Sequence, residues 1–115
     1  MIFFYENPSK IIADQIPDKF ETSTNYPNPF NSSTNFVMYI EQEAEVSIEI
    51  FDILGRLVAE HKFETLEKGV HSYKWEGRRS DGNLLPSGIY FYNLYYSPIN
   101  GSKPKIVSNK TMLLK

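Results

Sequence analysis

The run from Glu45 to Ile50 constrains this chain most. Val46, Ile48 and Ile50 alternate with Glu45, Ser47 and Glu49. A period of two sends successive side chains to opposite faces of an extended strand, one face into a core and one into water. Upstream, Phe36, Met38 and Ile40 alternate in the same way with Val37 and Tyr39. Between Phe51 and Arg56 the chain reads as a hairpin turn. Asp52 suits its first position, and Gly55 supplies a left-handed residue at little cost. A returning strand follows from Arg56 to Phe63.

The pattern continues to the end of the chain. Leu66 to Gly69 reads as a loop, and Val70 to Gly77 as a strand with His71, Tyr73 and Trp75 on one face. Ser80-Asp81-Gly82-Asn83 is a strong turn, because Asp-Gly favours tight hairpins. Leu85-Pro86-Ser87-Gly88 makes a second corner. An aromatic strand from Ile89 to Ser97 leads to a turn at Asn100-Gly101 and a last strand from about Ile106 to Leu114. No window shows a sustained helical period with caps. About seven short strands separated by turns predict an all-β fold, an antiparallel immunoglobulin-like β-sandwich. A Tyr just after the Pro-Gly corner suits a tyrosine corner, which points to Tyr90, and Trp75 is expected at the centre of the core. Tyr90, Tyr92, Leu94 and Tyr96 against Phe91 and Tyr95 read as a central strand packed on both faces.

Length and charge bound the function. The chain has 115 residues, enough for one self-sufficient core. Residues 1–20 read as a linker or the remnant of an upstream domain, with Ile2 to Tyr5 as a short apolar strand able to self-associate in trans or at the sandwich edge. The sandwich is assigned to residues 21–115. Net charge is −2, which gives no global electrostatic case for nucleic acid or an anionic membrane. The charge is uneven, however. Glu41, Glu43, Glu45, Glu49 and Asp52 crowd one segment, and Lys103, Lys105, Lys110 and Lys115 the last fifteen residues. Cysteine is absent, so disulfides, thiol catalysis and cysteine metal sites are excluded. No stretch approaches the roughly 20 apolar residues of a membrane-spanning helix.

No set of side chains in the sequence converges on a known chemistry. His61 and His71 each sit within a strand pattern. There is no nucleophile elbow, phosphate loop, paired-histidine zinc spacing or calcium-loop spacing. Asp81, Asn83 and Glu76 lie near one loop, but turn chemistry accounts for them. The expectation is therefore no enzyme, no cofactor and no metal. The tyrosines of the 89–97 strand leave open a sugar-binding platform.

One segment remains. Asn25-Tyr26-Pro27-Asn28-Pro29-Phe30-Asn31 holds two prolines one residue apart, each fixing its own φ and pushing its predecessor toward extended geometry. Tyr26 and Phe30 bracket it with aromatic bulk. Such a segment suits a locked entrance to a sandwich, just ahead of the first strand.

Together with Phe51 to Arg56, Gly69 to Gly77, Leu85 to Tyr92 and Lys110 to Lys115, this segment resembles the type A C-terminal sorting domain of the type IX (Por) secretion system. It is also similar to the immunoglobulin-like domain of flagellar hook-capping proteins. The likeness covers about residues 17–115. The Asn-Tyr-Pro-Asn-Pro-Phe-Asn block is specific to sorting domains, while the Trp-Xaa-Gly and Pro-Ser-Gly-Xaa-Tyr blocks are shared with the hook-capping relatives. Two departures stand out: Ser32 where the family often has Pro, and Arg79 where an Asp is usual.

The sorting resemblance implies a non-catalytic address label. Its cargo lies upstream, and the label is recognised by the outer-membrane translocon and attachment machinery. Carried onto this chain, recognition falls on Lys110, Thr111, Met112, Leu113, Leu114 and Lys115, as a basic, edge-accessible strand suited to strand addition. The chain would then be the C-terminal part of a larger protein, exported through the periplasm to the cell surface or the extracellular space. The alternatives are a structural assembly module of hook-capping type and a carbohydrate-binding accessory module.

Overall fold

A computed structural model describes residues 23–115, so the expectations for residues 1–20, Ile2 to Tyr5 among them, lie outside the described residues. Seven strands follow one another: β1 (Ser23–Tyr26), β2 (Thr34–Ile40), β3 (Ala44–Phe51), β4 (Leu57–Leu66), β5 (Gly69–Trp75), β6 (Gly88–Pro98) and β7 (Lys105–Leu113). They form two antiparallel sheets, ordered β1-β2-β5 and β4-β3-β6-β7. This is the expected immunoglobulin-like sandwich.

The alternating residues do what their period requires. Phe36, Met38 and Ile40 of β2 face Val46, Ile48 and Ile50 of β3 and Tyr90, Tyr92, Leu94 and Tyr96 of β6, and all are buried. Tyr92 packs its ring edge-on against Phe36, with centroids 4.6 Å apart. The β3–β4 turn is held by Asp52. Its carboxylate accepts from the amides of Leu54 and Arg56 and from Nε of Arg56, each within 2.9 Å. The hydrogen bond from the Arg56 amide, foremost, holds the Asp52 carboxyl below its ordinary value of 3.8.

Glu67 and Lys68 alone carry the chain from β4 in one sheet to β5 in the other. At that corner Nε2 of His71 donates to the Glu67 carbonyl at 2.7 Å, and farther along the two strands His61 stacks on Tyr73 at 4.6 Å. Both histidines thus have structural contacts. The chain returns to the larger sheet through the Leu85–Gly88 corner, where the Tyr90 hydroxyl donates to the Pro86 carbonyl at 2.6 Å. That is the expected tyrosine corner.

Two expectations are corrected. β6 is packed on one face only: Phe91, on the other face, is 43% exposed. The described residues form two layers, and none of them covers the outside of the four-stranded sheet. The second correction concerns the entrance segment, which contains a strand of its own. β1 carries no apolar alternation, because Asn25, which it buries, is polar.

Candidate interaction site at the C-terminal strand

The residues assigned to recognition divide between core and surface. Thr111 and Leu113 of β7 point into the sandwich and are almost fully buried. Lys110, Leu114 and Lys115 are exposed, and Met112 is half-buried. Their outer edge is not open. The proline segment leaves β1, crosses from the smaller sheet to the larger and lies against the end of β7. The Phe30 amide donates to the Met112 carbonyl at 2.9 Å, and the Leu114 amide to the Phe30 carbonyl at 2.8 Å. Phe30 and Leu113 thereby form a parallel bridge.

Asn28 extends this cover by one residue pair. Its Oδ1 accepts from the Met112 amide at 3.0 Å, and its Nδ2 donates to the Lys110 carbonyl at 3.4 Å. A primary amide presents a donor and an acceptor as a backbone unit does, so Asn28 stands in for a strand residue. The expected accessible edge at 110–114 is therefore occupied from within the chain, because an unpaired edge would leave those backbone groups open. Beyond it, the Lys115 amide donates to Oγ of Ser87 at 2.9 Å.

Asn25 anchors the same segment from inside. Its Nδ2 donates to Oγ1 of Thr34 at 3.2 Å and to Oγ1 of Thr111, and its Oδ1 accepts from the Tyr92 hydroxyl at 3.4 Å. The Thr34 hydroxyl donates to the Pro27 carbonyl at 2.8 Å. A buried amide without partners costs free energy, and here both ends are satisfied. Four strands meet at this one side chain. The peptide bonds before Pro27 and Pro29 are both cis.

Phe30 closes the end of the core. It is buried against Trp75, with ring centroids 5.7 Å apart, while Tyr26 at the other end of the segment is 76% exposed. Only Phe30 supplies the aromatic bulk expected of both. Trp75 is buried as expected and donates through Nε1 to the Arg78 carbonyl at 3.1 Å. Gly77 permits this packing. Its φ is +68°, and a Cβ there would lie 3.1 Å from Leu113 Cδ2 and 3.5 Å from Phe30 Cε2.

The loop residues Asp81, Asn83 and Glu76 are not drawn together. Asp81 accepts from the Asn83 amide at 3.0 Å, and Glu76 lies 3.9 Å from Lys74 and from Arg78. Among the described residues, no three His, Cys, Asp or Glu side chains cluster as metal ligands do. On the outer face of the four-stranded sheet, Ser108 donates to Asn93 at 2.6 Å and Tyr95 to Glu49 at 2.8 Å. Those polar groups bind one another.

In the sequence the two ends of this arrangement stand apart, with no local signal joining them. Asn25 and Asn28 flank the prolines, and Asn is the side chain that best imitates a peptide group. What they imitate it for lies 84 to 86 residues downstream.

The fold and its sealed end define an immunoglobulin-like β-sandwich module. The chain belongs to the FlgD Ig-like domain family, whose pattern matches residues 25–98. Among curated relatives, FlgD of Salmonella typhimurium, a basal-body rod modification protein, is 35% identical over 71 residues. That alignment takes in 61% of this chain but 30% of the relative's length. FlgD of Escherichia coli K12 is likewise 35% identical over 71 residues. Solved structures of the same fold include dimeric latent PorU of Porphyromonas gingivalis (TM-score 0.68, 21% identity, 80% of this chain and 9% of that one). Another is FlgD of Xanthomonas campestris, a protein of hook capping in flagellar assembly (TM-score 0.60, 18% identity, 81% and 65%).

Proposed function

We propose that this domain is a non-catalytic module that joins a larger protein to a protein assembly, in the manner of a hook-capping protein's immunoglobulin-like domain. The observation that carries this is the family match over residues 25–98 together with the 35% identity to FlgD. The geometry is consistent with it: the polar side chains are spent on turns, on the tyrosine corner and on the seal of β7. On this reading the partner is protein, and nucleic acid and cofactors have no part. The test is size-exclusion chromatography with light scattering on the full chain, and co-fractionation with hook complexes in a flagellated host. Ring-like self-association or co-fractionation is expected, and a strict monomer absent from those fractions would overturn the reading.

One observation favours a second reading, the type IX sorting domain. The residues of the Asn25–Asn31 block that resemble sorting domains are the ones committed to the end of β7. A label read at its last strand has use for a strand held in one fixed shape. The partners would be the outer-membrane translocon and attachment machinery, the cargo an upstream domain, and the destination the cell surface. Fusing residues 17–115 to an exported reporter, in a host with the type IX system, tests it. Surface display reduced by Lys110→Glu and Lys115→Glu is the expected result, and a reporter that stays in the periplasm sinks the idea.

A further inference from the structure

The cover over the edge of β7 stops at Lys110, and no described strand pairs with the outer edge of its first half. In an antiparallel pair, residues alternate between hydrogen bonds to the neighbour and groups that point away from it. Met112 and Leu114 use their outward groups on Asn28 and Phe30, so the even-numbered residues of β7 face outward. The odd-numbered residues face β6, with Val107 opposite Leu94 and Asn109 opposite Tyr92. The N–H and C=O of Ile106 and Ser108 therefore lie on the free edge, and no other described residue bonds to them. The Lys110 amide, next in line, is taken by Oδ1 of Asn109 at 2.9 Å. Ile106 is 63% exposed and lies beside Tyr95 on the outer face of the sheet.

We propose that this stretch, Lys105 to Asn109, takes up an extended acidic segment of a partner protein as a fifth strand of the larger sheet. The inference rests on reading the domain as an assembly module and names where assembly occurs. Strand addition supplies main-chain hydrogen bonds to the open edge, and alternate side chains set specificity. An apolar residue of the incoming strand would sit beside Ile106. Its acids would face Lys103 and Lys110, which flank the opening in a segment, residues 101–115, without any Asp or Glu. The same charge argues against pairing with the β7 of a second copy, because β7 against β7 would bring two sets of lysines together. Asn28 and Phe30 end the incoming strand at Lys110 and so set its register. The opposite edge strand, β4, offers a poorer template. Its ladder is broken by a shift between Glu45 and Val46, and Ser80 occupies its outer groups at Val58 and Glu60.

The test is amide hydrogen exchange on the full chain, with a seven-residue peptide of alternating Glu and Val as probe and its Lys-Val counterpart as control. At millimolar Glu-Val peptide, the Ile106 and Ser108 amides should slow about tenfold or more while exposed loop amides do not change. No slowing, or equal slowing by the Lys-Val peptide, overturns the proposal. Slowing that depends on chain concentration and not on peptide overturns it in favour of self-pairing. Ile106→Pro removes one outward N–H at an edge position where proline is tolerated, so the fold should persist and the protection of Ser108 should vanish. Should that variant not fold, the double change Lys103→Glu and Lys110→Glu must reverse the preference toward the Lys-Val peptide, and unchanged preference refutes the idea. If Ile106→Pro leaves assembly or display intact, the edge is refuted and the module reading stands. If wild-type chain binds the peptide but enters no assembly, the module reading fails instead.

Discussion

Asn25 lies between the two sheets, and its amide is the point where β1, β2, β6 and β7 meet. Replacing it by Ala leaves the Thr34 and Thr111 hydroxyls short of a partner inside the core. Unsatisfied buried groups cost about 1–3 kcal/mol each, so Asn25→Ala should lower stability in urea by about that amount, whereas Tyr26→Ala, at an exposed position, should change it little. Trp75 is the larger effect. It touches Phe30, Phe36 and Tyr90, and Trp75→Ala should cost about 3–5 kcal/mol. A loss below about 1 kcal/mol would contradict its place in the core. Asp52 gives a pH test. Its folded pKa is lowered, so its contribution is complete above 3.8 and is lost as pH falls through the lower folded value. Exchange of the Leu54 and Arg56 amides should accelerate in that acid window, and Asp52→Asn should remove the step. At this scale most of the structure was legible: Asp52 in its turn, Tyr90 at its corner and Trp75 in the core follow from local chemistry.

Elements were legible where they obey a period. β2, β3 and β6 bury every second residue, and each was anticipated to within a residue or two at its ends. β1 was not, because the period is carried by apolar side chains and β1 buries an asparagine. The edge of β7 was misjudged for a related reason: whether an edge is free depends on what lies beside it, not on the strand. Asn28 makes this testable. Asn28→Ala should leave the fold intact and free the Met112 amide, whose exchange should rise about tenfold or more, while the Leu114 amide, held by Phe30 backbone, stays protected. Equal exchange of Met112 in the two proteins would mean that Asn28 does not cover the edge.

For the molecule as a whole, the last strand is both a surface and a wall of the core. Deleting Lys110 to Lys115 removes Thr111 from the polar cluster and Leu113 from the packing against Gly77 and Phe30. Losing a buried Leu alone costs about 2–5 kcal/mol, a large share of a typical total of about 5–15 kcal/mol. The truncated chain should therefore lose its cooperative thermal transition by circular dichroism, whereas Lys110→Glu with Lys115→Glu should keep it. Recognition at this strand is best probed by surface substitution for that reason. The fold class, six of the seven described strands and the central tryptophan were determined by the amino-acid order, because alternation, turns and corners are local and each carries its own signature. The joining of the proline segment to the C-terminal strand was decided in three dimensions. An amide side chain is complementary to any strand edge it meets, and nothing local to Asn25 or Asn28 says which strand the fold will bring beside it.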